Sequence, residues 1–263
     1  MWEVYAVKYA DRHGRTRADS FLFDPLHDSA HAMDYFVWVL RRGNQVILVD
    51  TGYDTTEAAA RGRPIKRSVA DALAPLAISP AQVQTIICTH LHYDHAGGLA
   101  QFPQATVHLQ QAEMVYATGP CMCFETLRMP YTSTHVAAVV EKLYSDKLVY
   151  HHGDGVITDG VTVHCIGGHS RGLQVVRVRT VCGWLVLASD ASHYYENFLQ
   201  HKLFPIVVDA QSMLQGFDTL VSLASETRLI IPGHDPLVMQ YFPPVGEPFI
   251  RRLDQGPNRS CPL

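Results

Sequence analysis

Short apolar runs, cut by glycine, proline or charge, dominate this chain. Trp2–Tyr9 alternates and predicts a first strand. Residues 10–32 are polar, with Gly14, Pro25 and three histidines, and predict a loop. Tyr35–Leu40 and Gln45–Val49 are β-branched and aromatic, split by Arg41-Arg42-Gly43-Asn44, which is a hairpin signal. Ser68–Leu76 predicts a helix capped by Ser68. Ser79-Pro80 opens a short one with proline at its first position. Thr85–Cys88 predicts a buried strand that runs into Thr89-His90. Thr106–Leu109 reads as a strand, Gln110–Ala117 as a helix, and 118–144 as an irregular stretch that turns helical. Val156–Ile157, Val161–Ile166, Leu173–Arg179 and Trp184–Ala188 predict strands. His193–Leu199 and Ala210–Ala224 predict helices, and Leu229–Ile231 a last strand ending at Pro232-Gly233-His234. Strand and helix do not alternate as in a doubly wound fold. The expected class is α/β, with two mixed β-sheets flanked by helices, in one domain over 1–263. The tail after about residue 253, with glycine, two prolines and asparagine, is expected to be loose.

Composition then narrows the function. Hydrophobic residues are 47% and charged residues 17%, the balance of a globular enzyme with a sizeable core. A net charge of −4 provides no broad positive field, which argues against nucleic acid and anionic membrane as partners. The start, Met1-Trp2-Glu3-Val4-Tyr5, has neither the basic nor the apolar region of a signal peptide. No apolar run approaches the roughly 20 residues that span a bilayer. A cytoplasmic chain is expected, with its cysteines at 88, 121, 123, 165, 182 and 261 as free thiols. The anomaly is histidine, 15 in 263 residues, and histidine is the commonest metal ligand.

The histidines cluster. Thr89-His90-Leu91-His92-Tyr93-Asp94-His95-Ala96-Gly97-Gly98 packs four ligand-type side chains, His90, His92, Asp94 and His95, directly after a predicted strand. A loop at a strand end can turn 90 and 92 to one ion, and 94 and 95, past the bend, to a second. Further ligand-type residues follow later apolar strands: His169 after Val161–Ile166, Asp190 after Trp184–Ala188, and His234 after Leu229–Ile231. Asp190 has two oxygens with which to bridge both ions. Nitrogen and carboxylate ligands suit zinc first, and also iron, manganese or cobalt.

The pattern His-x-His-x-Asp-His followed by a lone His, a lone Asp and a lone His resembles the metallo-β-lactamase superfamily, and Val49-Asp50-Thr51-Gly52 resembles its first motif. The resemblance runs from about Asp50 to His234. It implies an αββα sandwich with two divalent metal ions, zinc above all, at one edge of the sheets. It assigns His90, His92 and His169 to one ion and Asp94, His95 and His234 to the other, with Asp190 bridging and Asp50 bonded to a ligand histidine. Within the superfamily the chain is most similar to the quorum-quenching N-acyl-homoserine lactonases. His90–Gly98 and the stretch from Asp190-Ala191-Ser192 to Glu196-Asn197-Phe198 carry that similarity. Those enzymes place a tyrosine three residues after the bridging aspartate. Here that position is His193, followed by Tyr194 and Tyr195.

The resemblance implies opening of a small-molecule lactone or related carboxylic ester by a metal-bridging hydroxide, and a homodimer. Asp94 is expected to move the proton, and His193 or Tyr194 to face the cleft and assist the oxyanion. A thioesterase or cyclic amide hydrolase of the same fold, or an iron-dependent persulfide dioxygenase, are the alternatives. The glutathione thioesterases add a C-terminal helical domain, for which the 29 residues after His234 are too few. Cys121-Met122-Cys123-Phe124 reads either as pocket lining or as buried packing. His27, His31, His151 and His152 read as solvated. Arg128 and Arg171 also read as solvated, though either is able to meet a substrate carboxylate.

Overall fold

The computed structural model describes residues 1–258. Thirteen strands form two sheets among these residues. In chain order they are β1 (Glu3–Arg12), β2 (Met33–Arg42), β3 (Gln45–Val49), β4 (Thr85–Ile87), β5 (Thr106–Gln110), β6 (Leu148–His151), β7 (Gly155–Thr158), β8 (Val161–Cys165), β9 (Gln174–Thr180), β10 (Gly183–Ser189), β11 (Ile230–Pro232), β12 (Pro244–Val245) and β13 (Glu247–Arg252). The larger sheet has the order β12-β13-β1-β2-β3-β4-β5-β6 and the smaller β11-β10-β9-β8-β7. Both are mixed: β3, β4, β5 and β6 run parallel to one another, as do β10 and β11, while the other pairs are antiparallel. The expected architecture is the one found.

Strand periodicity explains the layering. In β1 and β2 every second side chain faces the same way, and both faces are apolar. Val4, Ala6, Phe36, Trp38 and Leu40 pack toward β8–β10 and the helix Ala210–Leu223, through Val163, Val176, Leu185 and Phe217. Tyr5, Val7, Tyr9, Val37 and Val39 pack on the other side with Val69, Leu73 and Val139 from flanking helices. Two apolar layers thus sit either side of the large sheet, and the strand ends that carry the ligand-type residues meet at one edge.

Several expectations are corrected. The helix expected from His193 begins at Tyr195, because Asn197 Oδ1 accepts from the Tyr194 amide (2.7 Å) and makes residue 194 the cap. The tail is tied down as far as it is described. Asp254 accepts from the Val4 amide (3.0 Å), and the Asn258 amide donates to the Tyr241 carbonyl. Cys261 lies outside the described residues. Cys123 is exposed and Cys121 half-buried against the core, and the described cysteines are free. His151 is not solvated. It lies in β6 with its ring stacked on His108 (centroids 5.2 Å apart) and Nε2 3.0 Å from His108 Nδ1. His31 is half-buried, 2.9 Å from Ser20 Oγ.

Burial, then the neighbouring His151, pushes His108 down from 6.5 to about 4. Over that window the unfolded chain takes up a proton that the folded one refuses, so stability falls as the pH drops from about 6.5 toward 4. Thermal unfolding midpoints against pH check this. The slope should flatten in His108→Gln, and an unchanged slope would remove His108 from the account.

Candidate metal centre

Asp50 sits at the end of β3 with φ +60, a left-handed conformation in which non-glycine residues are scarce and which gathers at functional sites. The turn brings its carboxylate beneath the histidine loop. Oδ1 accepts from the Thr89 amide (2.8 Å), while Oδ2 accepts from Thr89 Oγ1 (2.8 Å) and lies 2.8 Å from His95 Nδ1. A carboxylate can only accept, so His95 carries its proton on Nδ1. The same reasoning covers His169 Nδ1, 2.7 Å from the Ile206 carbonyl, and His234 Nδ1, 2.8 Å from the Asp34 carbonyl. The single proton of Thr89 goes to Asp50, so its oxygen accepts from His90 Nδ1 at 3.1 Å. Four imidazoles therefore turn an Nε2 lone pair to one point, and His92 presents Nδ1, 2.8 Å from His169 Nε2.

Asp190 lies at that point, just past Ser189, the end of β10 and itself at φ +46. Its Oδ2 is 3.2 Å from His169 Nε2, 3.8 Å from His90 Nε2 and 2.9 Å from His193 Nε2. Its Oδ1 is 3.2 Å from His95 Nε2 and 3.0 Å from His234 Nε2. Asp94 Oδ2 stands 3.8 Å from both of these nitrogens. The donors divide into His90, His92 and His169 on one side, Asp94, His95 and His234 on the other, with Asp190 between them. All seven are buried. His90 Nε2, His95 Nε2 and Asp190 Oδ1 are buried without a hydrogen-bond partner among the described residues. Orphaned polar atoms are costly unless something else satisfies them, and this donor set fits a pair of divalent cations. Burial, reinforced by neighbouring imidazoles, holds His90 and His92 well below the usual histidine range, in the neutral form that can ligate.

His193 faces this centre. It lines the adjoining cavity, stacks on Phe204 (3.7 Å, 18°) and has a buried Nδ1 without a partner. Burial, opposed by Asp190, pushes its imidazole down to about 3. Of the two residues of which one or the other is expected at the cleft, Tyr194 does not face it. As the helix cap it points the other way, its hydroxyl accepting from Ser20 Oγ (3.3 Å) and donating to the Ala32 carbonyl (3.2 Å), its ring on His31 and Phe21.

Sequence reasoning missed two groups. Glu113, fully buried, accepts from the Leu91 amide, Tyr131 hydroxyl, Ser170 hydroxyl and Gly172 amide at 2.7–3.0 Å, tying two ligand loops together. On a helix start it carries no sequence signal beyond an ordinary polar residue. The cavity is also lined by Arg12, Arg15 and Arg63, while Arg128 and Arg171 lie exposed elsewhere, on the Met122 carbonyl and Asp209.

The comparisons agree with this architecture. A family model described as Metallo-beta-lactamase superfamily matches residues 33–234. An N-acyl homoserine lactonase AttM of Azorhizobium caulinodans is 28% identical over 165 residues, 61% of this chain and 61% of the relative. The chain thus spans about three fifths of the length of that curated relative. An N-acyl homoserine lactonase of a Bacillus species is 25% identical over 244 residues, 86% of this chain and 88% of its own. The solved structure of a quorum-quenching N-acyl homoserine lactone lactonase superposes with a TM-score of 0.74 at 22% identity, covering 89% of this chain and 92% of the other. AidC, a dizinc quorum-quenching lactonase, superposes with a TM-score of 0.70 at 17% identity, covering 95% and 93%. At these identities the structural likeness shows the fold.

Proposed function

Because this chain belongs to the metallo-β-lactamase superfamily, we propose that it is a metal-dependent hydrolase that opens a lactone or related carboxylic ester at a two-metal centre. The observation that carries the reading is the convergence of six buried donors on Asp190, in two sets of three that share it. Relatives named as N-acyl homoserine lactonases support the ester or lactone class.

We assign His90, His92 and His169 to one ion, Asp94, His95 and His234 to the second, and Asp190 to both, with zinc as the expected metal. Two such ions supply an acidified water and a polarised carbonyl. The protein's own part is positional. Asp50, Thr89, Ile206 and Asp34 fix the tautomers described above, so the ring nitrogens need no reorganisation. The Asp94 carboxylate, at the cavity wall, is placed to carry a proton to the leaving alkoxide. His193 lines the same wall; its ring proton sits on Nε2, 2.9 Å from Asp190 Oδ2, and with that carboxylate given over to metal this N–H would be placed to donate to the carbonyl oxygen.

The test joins elemental analysis of protein prepared without chelator to a screen of lactones, aryl esters, thioesters and cyclic amides. Close to two ions per chain and carboxylate release without oxygen consumption are expected. Turnover of a persulfide that consumes oxygen, with no lactone or ester opened, rejects the reading.

The oxyanion role separates the two neighbours. His193→Ala should cost about 10²–10³ in turnover with both ions retained. Tyr194→Phe should stay near wild type, since its hydroxyl is engaged away from the cleft. A slow Tyr194→Phe with intact metal would return the role to the tyrosine.

A further inference from the structure

The cavity beside the metal centre, about 60 Å³, has a wall that the reaction above does not use. Arg12, at the end of β1, Arg15, three residues on, and Arg63, from a loop 48 residues further along the chain, all reach it. Arg15 is 8% exposed, and its Nε is buried with no hydrogen-bond partner. Its Nη2 donates to the Asp19 carbonyl (2.7 Å) and Ser20 Oγ (3.3 Å), neither of them charged. Arg63 is half-buried. Its Nη1 donates to the Tyr93 hydroxyl and its guanidinium lies 5.0 Å from that ring, so it is anchored to the ligand loop between His92 and Asp94. None of the three forms an ion pair among the described residues.

All but one of the nearby carboxylates are committed elsewhere. Asp94 and Asp190 face the imidazoles, Asp34 pairs with Lys8, and Asp11 with Lys8 and Lys66, which leaves Asp19, in the cavity wall with Oδ2 on the Thr16 amide, as the one carboxylate to set against three arginines. Arginine stays protonated, and burying a guanidinium without a counter-charge is expensive. Three of them at one small cavity, on the wall beside a site suited to cations, call for an anion from outside. A neutral ester would leave two of the three charges uncompensated even with Asp19 counted against them.

We propose that the substrate carries an anionic group, a carboxylate in the first instance, besides its reacting carbonyl, and that Arg15 and Arg63, assisted by Arg12, receive it. This rests on the hydrolase reading for the reaction, but not for the binding.

The test has two arms. In the first, turnover of γ-butyrolactone-γ-carboxylate is compared with that of its neutral carboxamide. In the second, glutarate and butyrate are titrated calorimetrically into the metal-loaded protein. Each offers one carboxylate to the metals, and only glutarate has a second for the arginines. Charge-assisted hydrogen bonds predict a preference of about tenfold to a hundredfold for the charged lactone in kcat/KM and for glutarate in Kd. Both ratios should collapse in Arg15→Gln and in Arg63→Gln with metal content unchanged. Arg63→Gln carries the test if Arg15→Gln does not fold. Equal treatment of charged and neutral lactones, with equal binding of glutarate and butyrate, overturns the proposal and leaves the hydrolase reading standing. So does a preference that survives both substitutions. A glutarate preference lost in the variants, with no lactone opened, supports the anion receptor and counts against the hydrolase reading.

Discussion

Asp190→Asn should lose most of the bound metal and more than about a hundredfold of turnover. The side chain keeps its volume, so packing around β10 is preserved and the change isolates charge. What is lost is the one carboxylate whose two oxygens serve both groups of donors: Oδ2 toward His169 and His90, Oδ1 toward His95 and His234. An amide offers one acceptor and turns an NH2 toward the other group, where a lone pair is needed. Removing a residue that merely orients a metal ligand costs about 10–100-fold in metal affinity or activity. A group shared by both sites should cost more. Asp94→Asn is the internal control. Its carboxylate stands only beside His95 and His234, at 3.8 Å from each, so it should lose one ion of the two. Elemental analysis and turnover on the best lactone decide this. Two ions and full activity in Asp190→Asn would end the bridging assignment.

The contrast between these carboxylates and Glu113 shows what a sequence can carry. Each ligand-type residue follows an apolar run that becomes a strand: His90 after β4, His169 after β8, Asp190 after β10, His234 after β11. Such runs are local signals, and a His or Asp where one stops is visible without knowing what lies across from it. The partners that aim these residues are not visible. The carbonyls of Asp34 and Ile206 hold imidazoles 200 and 37 residues away, and a backbone oxygen has no sequence signature. The arginine wall likewise gathers residues 12 and 15, from a stretch that reads as polar loop, and residue 63, from a stretch whose pattern predicts no element. Strands β12 and β13 were missed because Pro244–Arg252 is half polar. The edge strand β12 pairs with β13, and β13 takes its register from β1, Tyr5 against Arg252 and Val7 against Ile250. The helix Thr55–Arg61 has a readable start, with Asp54 capping the Glu57 amide (2.8 Å), but no apolar periodicity to mark it. At His193 the helical pattern starts two residues before the helix does, because the N-cap Tyr194 and the residue before it continue the apolar run. The cap geometry at Tyr194 separates the residue that faces the centre from the one that does not.

Glu113→Ala should lower stability by about 3–5 kcal/mol and loosen the metal centre at the same time. The carboxylate is fully buried and accepts from four donors, two of them backbone amides. The Tyr131 and Ser170 hydroxyls can rotate to seek other acceptors, but the amides of Leu91 and Gly172 cannot. A buried donor left unsatisfied costs about 1–3 kcal/mol. The chain approaches so closely here that a Cβ on Gly172 would lie 2.1 Å from the Glu113 amide nitrogen, which leaves the backbone little room to relax toward water. For a chain of this size, a few kcal/mol should move the unfolding midpoint by on the order of 10 °C. Leu91 lies between His90 and His92, and Ser170 follows His169, so all three donors assigned to one ion flank segments that Glu113 holds. That ion should bind about 10–100-fold more weakly, while the other, held by Asp94, His95 and His234, should be affected less. Glu113→Gln refines the point. Its amide oxygen still serves one pair of donors, but its NH2 faces an amide that cannot accept, so the loss should be roughly half that of alanine. Calorimetric unfolding and metal titration of both variants provide the check. A midpoint in Glu113→Ala within a degree or two of wild type, with both ions bound as tightly, would show that the two loops hold their places without it.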